Sequence, residues 1–181
     1  MRIQPGTIAP TFSTQDSLGN HVNLSDYTGK WLLLSFLRNG ACAMCNLRVH
    51  QLIQNYPELQ QQNLEIVTVF ESPNSSTQQY VGKQNAPFPI IPDPEAKLYA
   101  LYGVETSEEK VNATMAKPET PDKIAQAAAH GFALTPEEGS NFYRMPADFL
   151  IAPDSSIRIA HYADFVYDHL ELSTLEAAIK A

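Results

Sequence analysis

The stretch "WLLLSFLRNGACAMCNLRVHQLIQNY", residues 31–56, carries the reading of the fold. Trp31 to Leu37 runs apolar with one serine, as a strand buried on both faces does. Past Cys42 the period changes. Val49, Leu52, Ile53 and Tyr56 fall at i, i+3, i+4 and i+7, one apolar stripe of a helix. The chain's two cysteines, Cys42 and Cys45, sit where the strand hands over to that helix. "LEIVTVFES", residues 64–72, reads as a second buried strand. Strand, helix and strand within about 30 residues predict a βαβ crossover with parallel pairing.

Outward from this unit, "TQDSLGNHVNLSDYTGK" predicts a short hairpin turning at Ser17-Leu18-Gly19-Asn20, with Val22 and Leu24 on its return strand. "LSDYTGK" then makes a capped turn ending at Gly29. Pro57 is expected to close or kink the first helix. A polar helix is expected over 75–84 and an edge strand at Ile90-Ile91. A further helix is expected from Pro94 to Tyr102, stopped by Gly103. Asp148–Ala152 and Ile157–Tyr162 read as a hairpin around Pro153-Asp154-Ser155-Ser156, and 172–180 as a closing helix. Residues 105–142 break the rhythm: they are polar and proline-punctuated, with an alanine-rich helical stretch at 122–130. They read as an insertion packed on or beside the core, or as a flexible loop. The fold class is α/β, with a mixed central sheet between helices on both faces.

The 181 residues suggest a single domain, 1–181, long enough to bury a core without metal or disulfide staples. A net charge of −8 makes nucleic acid and anionic membrane poor partners. No apolar run approaches the roughly 20 residues of a bilayer span, and the start lacks the apolar stretch of a secretory leader. The expected location is therefore cytoplasmic, where stable structural disulfides are uncommon.

The cysteine pair admits three readings: a structural clip or buried inert thiols, a metal site, and a redox pair. A closed metal site needs about four ligands. Two cysteines and five scattered histidines do not supply them, so no metal is expected. The first turn of a helix offers free N–H groups and about half a positive charge, which stabilise a thiolate. Arg38 and Arg48 flank the pair, and either could add to this. His50 could not, since five residues turn it about 140° away from Cys45. Residues three apart on a helix have Cβ atoms roughly 5–6 Å apart. That is slightly wide of the ~3.8 Å of a disulfide, so a small adjustment makes or breaks the bond. Gly40, Ala41 and Ala43 add little bulk around it. No glycine-rich phosphate loop precedes a helix, so no nucleotide cofactor is indicated. The neighbours Asp168 and His169 read as a surface helix lead-in rather than a catalytic dyad, and His161 as half-buried strand packing.

"GTIAPTFSTQDSLGNHVNLSDYTGKWLLLSF", "FPIIPDPEAKLYALYGV" and "RMPADFLIAPDSSIRIAHY" occur in that order. Together they resemble the peroxiredoxins of the AhpC/TSA type, and in particular peroxiredoxin-like redoxins with a CxxC. The resemblance implies a thioredoxin-like fold of three α/β/α layers. It also implies a peroxidatic cysteine at Cys45, a resolving Cys42, and a hydroperoxide substrate. A thioredoxin or glutathione-type reductant, no cofactor and a homodimer follow from it as well. It further suggests that Arg144 supports the thiolate, a surface arginine being the alternative. Met145-Pro146 falls where thioredoxin folds place a cis-proline facing the pair. Two positions depart from the family pattern: Arg38 stands at its proline and Cys42 at its threonine. Cys42-x-x-Cys45 equally resembles a thioredoxin active site, which implies a disulfide oxidoreductase with Cys42 as nucleophile.

Overall fold

The structure, a computed structural model, describes residues 1–180. A small antiparallel hairpin comes first, β1 (Ser13–Gln15) with β2 (His21–Asn23). The Asp16 carboxylate closes its turn by accepting the N–H groups of Leu18 and Asn20. Leu24, expected on the return strand, instead begins a 3-10 turn, Leu24–Tyr27. The Asp26 carboxylate caps that turn at the N–H of Asn23, and a local cap of this kind ends a strand.

The main sheet has the order β5-β4-β3-β6-β7. β3 (Trp31–Phe36), β4 (Leu64–Phe70) and β5 (Ile90–Pro92) are parallel. β6 (Ala147–Ile151) and β7 (Ile157–Tyr162) are antiparallel additions on the other side of β3. The expected βαβ unit is present, with α1 (Ala43–Gln61) as its crossover. Both faces of the sheet are covered, and alternation along β3 decides which residue goes where. Leu33 and Leu37 join Val49, Leu52, Tyr56 and Leu59 of α1 and Leu175 of the last helix. Leu32, Leu34 and Phe36 point the other way, into a cluster with Tyr99, Tyr102 and Phe149. The result is the three-layer thioredoxin-like arrangement.

Three local expectations are corrected. Pro57 does not end α1, which runs on to Gln61. Its ring forgoes one N–H bond inside the helix, but Tyr56 and Leu59 on either side are buried and hold the last turns on the sheet. The helix expected from Pro94 starts later, as α3 (Lys97–Leu101), after Ala96 in a left-handed conformation. The Asp93 carboxylate accepts the N–H groups of Lys97 and Leu98 and sets that start. The polar segment after β4 splits into α2 (Asn74–Gln79) and a 3-10 turn, Val81–Gln84.

Residues 105–142 hold two helices, α4 (Glu108–Met115) and α5 (Thr120–Ala129). The first lacks a sequence stripe, yet Ser107 caps it and Glu108 and Glu109 favour its N-terminus. Ala127 and Phe132 pack against Ala43 and Leu47 of α1, so the segment rests on the core. Its two ends meet: Ser107 donates to the Tyr143 carbonyl at 2.8 Å and Met145 to the Glu105 carbonyl at 3.1 Å. α6 (Leu172–Lys180) closes the chain. Among the described residues no helix is long and apolar enough to cross a membrane.

Candidate active site around Cys42 and Cys45

The C-terminal ends of β3 and β4 open onto one edge of the sheet, and the segment 38–41 runs across it to α1. Open α/β sheets bind ligands at such edges. Gly40 fits a close approach there: a Cβ on it would lie 3.2 Å from the Ser76 carbonyl oxygen, a contact that the 76–77 backbone would have to yield to. The Asn46 side chain donates to the carbonyls of Gly40 (2.7 Å) and Cys42 (3.0 Å), tying the segment to the first turn of α1.

Cys42 is the N-cap of α1, and its Sγ accepts the Cys45 N–H at 3.3 Å. The Arg38 guanidinium reaches the same sulfur, Nη1 to Sγ 4.0 Å. The Cys42 thiol is brought down to about 6, first because the Cys45 thiol donates to it, and further by the Arg38 charge and the Cys45 N–H, against burial. Cys45 moves the other way. Burial, its own bond to Cys42 and the Cys42 charge push its thiol well up, although the Arg38 N–H donates to its sulfur at 3.4 Å. Both cysteines are free thiols. Cys42 keeps 8% of its surface and Cys45 none.

A cavity of about 400 Å³ opens beside Cys42, with Arg38, Met44, Val111, Ile124 and Phe142 among its walls. Arg38 is fixed from its far side. Its Nε donates to the Arg144 carbonyl at 3.0 Å, its Nη2 to the Phe142 carbonyl, and it stacks on the Phe142 ring. The roof over the cysteines is pinned at Glu137. That carboxylate accepts the Ala41 N–H (3.2 Å) and the Ser72 hydroxyl (2.7 Å), while Ser72 Oγ accepts the Gly40 N–H (2.8 Å). Neither Glu137 nor Ser72 stood out in the sequence. Ser72 lies just past the end of β4, on the same sheet edge as the cysteines, and that position was its one signal.

The other expected residues divide. Arg38 and Gly40 lie at the pair. Arg144 is buried close by, but its guanidinium is engaged with the Glu71 carboxylate and the Val104 carbonyl and stacks on Tyr99, so its charge is spent there and not on a sulfur. Only its backbone serves the site, through Arg38 Nε. Met145 packs in the same apolar cluster as both cysteines. The Met145–Pro146 bond is trans, correcting the cis expectation; the Met145 N–H and Pro146 carbonyl are bound to Glu105 and Ala163 in that form. Arg48 is directed away from the sulfurs, to the Leu170 carbonyl and to Asp148 at 3.7 Å. His50 packs at a tilt against His130, ring centroids 4.8 Å apart. His169, read as part of a surface lead-in, is instead half-buried as a residue, its side chain turned inward with Nδ1 3.3 Å from Asp148. Asp148 also accepts the Ser35 hydroxyl and the Leu170 N–H. Burial opposes its charge, but His169, Arg48 and Ser35 together hold its carboxyl well below the usual range.

Residues 5–160 match the AhpC/TSA family. Over 102 residues the chain is 24% identical to "Peroxiredoxin Bcp" of Escherichia coli, covering 56% of this chain and 65% of that protein. Over 100 residues it is 30% identical to "Thiol-disulfide oxidoreductase ResA" of Geobacillus thermodenitrificans, covering 55% and 57%. The matches thus span less than two thirds of either relative. Among solved structures, Peroxidoxin BcpB from Mycobacterium tuberculosis shares the fold with a TM-score of 0.68 at 14% identity, over 99% of this chain and 96% of that one.

Proposed function

The chain belongs to the AhpC/TSA family, and from that premise we propose that it is a thiol-dependent peroxidase working through a Cys42/Cys45 dithiol–disulfide cycle. One observation carries the assignment of roles: Cys42 caps the helix under the Arg38 cation, while Cys45 is sealed behind it. Attack therefore starts at Cys42, the reverse of the order that the family pattern implies.

The Cys42 thiolate attacks the terminal oxygen of a hydroperoxide. The O–O bond breaks, the alcohol leaves with a proton, and Cys42 becomes a sulfenic acid. The Cys42 charge is now gone, and with it part of what kept the Cys45 proton in place. Cys45 sulfur attacks Cys42 sulfur, the S–O bond breaks, and water leaves with the thiol proton. An external dithiol or glutathione-type thiol returns two electrons and two protons by exchange. Arg38 stabilises the thiolate and the charge developing on the leaving oxygen. Arg144 acts as a positioning residue, through its carbonyl on Arg38. The cycle needs a reducing compartment, which fits a cytoplasmic setting.

A second reading, thiol–disulfide exchange on proteins, has the same attacking sulfur and is favoured by the CxxC spacing. Against it stands the roof of Pro136, Glu137 and Phe142 beside Cys42, which admits a small peroxide more readily than a folded disulfide partner. Hydrogen peroxide applied to Cys45→Ser, with dimedone trapping and peptide mapping, tests the proposal. A sulfenate on Cys42 is expected. A sulfenate only on Cys45, seen in Cys42→Ser, would overturn the order of roles, and no oxidation of either variant would favour exchange.

A further inference from the structure

A second cavity, of about 220 Å³, lies between α1, α5 and the segment that joins β7 to α6. Met44 borders both cavities, while Cys42 and Arg38 border only the other. Arg48 and His169 line the second cavity, and their side chains keep only 6% and 8% of their surface. Each carries a buried nitrogen with no partner among the described residues, Nε of Arg48 and Nε2 of His169. Buried polar atoms are ordinarily hydrogen-bonded, so two orphans in one lining call for an account. Elsewhere the two side chains are engaged: Arg48 Nη2 donates to the Leu170 carbonyl at 2.8 Å, and His169 Nδ1 lies 3.3 Å from Asp148. Lys123 and Gln126 of α5 and Gln51 of α1 complete the donor set, and all three are exposed. Glu171 is the one carboxylate in the lining, and it too is exposed. Asp148 is fully buried and outside the lining.

We propose that this cavity binds a phosphoryl group, as inorganic phosphate or as the head of a small phosphate monoester, independently of the thiol chemistry. Guanidinium, ammonium, imidazole and amide N–H groups converge on it from three elements. A tetrahedral oxyanion offers acceptor lone pairs in as many directions, whereas a flat carboxylate has two oxygens to share. Phosphate oxygens would give Arg48 Nε its missing acceptor, and likewise the Nε2–H of His169 in its charged form, in place of the water that burial removed. The net charge of −8 repels anions at long range, so binding depends on this local donor set. Only the folded chain brings α1, α5 and the 165–171 segment together, so occupancy stabilises the fold.

The test is calorimetric titration and the melting temperature of the reduced protein, with inorganic phosphate and phenyl phosphate up to about 10 mM at constant ionic strength. Saturable binding is expected, with a Kd on the order of 1 mM. Lys123→Glu and Gln51→Glu, both at exposed positions that the fold tolerates, should each weaken it about tenfold. Lys83→Glu, outside the lining, should leave it unchanged. Phosphate also strengthens burial in general as an excluded ion, but that effect does not saturate and is alike in every variant. A rise in melting temperature of that kind alone, without saturable heat, would overturn the proposal. Binding lost in Arg38→Met and kept in Lys123→Glu would place the anion at Cys42 and overturn it as well. Tighter binding of phenyl phosphate upholds the site as one for a monoester, and equal affinity upholds it as one for free phosphate.

Discussion

Arg38 holds its guanidinium 4.0 Å from the Cys42 sulfur while two carbonyls of the chain's distant 142–144 turn grip its other nitrogens. A cation this buried keeps its position because those carbonyls replace the water it lost. The cation beside Cys42 and the roof of the cavity are thus one mechanical unit.

Arg38→Met removes the charge and keeps the apolar stem. The midpoint of Cys42 alkylation by iodoacetamide, expected near pH 6 in the wild type, should move up to about 7–8. An unmoved midpoint would mean that the helix terminus and the Cys45 thiol suffice alone.

Cys42 also links stability to pH. Its folded thiol lies near 6 against an ordinary value of 9, so the contribution is complete above pH 9 and is lost as pH falls through 6. Cys45, pushed up, works against stability only above its ordinary value of 9. Urea denaturation between pH 6 and 9 should show the wild type gaining on Cys42→Ser as pH rises. Parallel curves would contradict a preferentially stabilised thiolate.

Glu137→Gln exchanges a charged acceptor for a neutral amide at the Ala41 N–H and Ser72 hydroxyl. Such bonds contribute about 1.5–3 kcal/mol when one partner is charged. Loss of part of that should loosen the roof and speed labelling of Cys42 by a bulky maleimide several-fold, with little change for iodoacetamide. Equal acceleration of both reagents would point to a changed thiol instead of a changed roof.

Asp148→Asn leaves Arg48 buried without its carboxylate. Breaking a buried pair from one side costs about 3–5 kcal/mol, readable as a lower urea midpoint. Alkylation of Cys42 should keep its pH midpoint, since Asp148 bonds Ser35, His169 and Leu170 rather than either sulfur. A displaced midpoint would assign Asp148 to the proton handling of the pair.

Glu71→Gln tests the engagement of Arg144. Freed from its carboxylate, the Arg144 guanidinium would be a second buried cation in search of a partner. A loss of about 1.5–3 kcal/mol is expected, that of hydrogen bonds to a charged group, recovered in part by Glu71→Gln combined with Arg144→Met. If the single variant instead lowers the Cys42 midpoint with no loss of stability, Arg144 is mobile enough to serve the thiolate directly.

Chain order and periodicity were enough to place the sheet, its crossover helix and the two cysteines at the handover between them, because those depend on neighbours within a few residues. Residues 31–56 encode a change of period and a helix start, and both are local. The turn Pro153-Asp154-Ser155-Ser156 of the 148–162 hairpin is local in the same sense. Where a local cap competed with a pattern, as Asp93 did with Pro94, the hydrogen bond prevailed over the propensity. Which sulfur keeps surface and lies under a cation belongs to the tertiary structure. The spacing offered Arg38 and Arg48 alike; that Arg38 is the one at Cys42 follows from the Phe142 and Arg144 carbonyls, more than 100 residues along the chain, which hold its guanidinium there. The burial of Cys45 likewise depends on segments distant in sequence. The same holds for Arg144, captured by Glu71, for Glu137, brought over Ala41 by a segment without periodicity, and for His169, its side chain turned in against Asp148. Charges and hydroxyls take their roles from whichever partner the fold delivers, and that is settled only when distant segments close on one another.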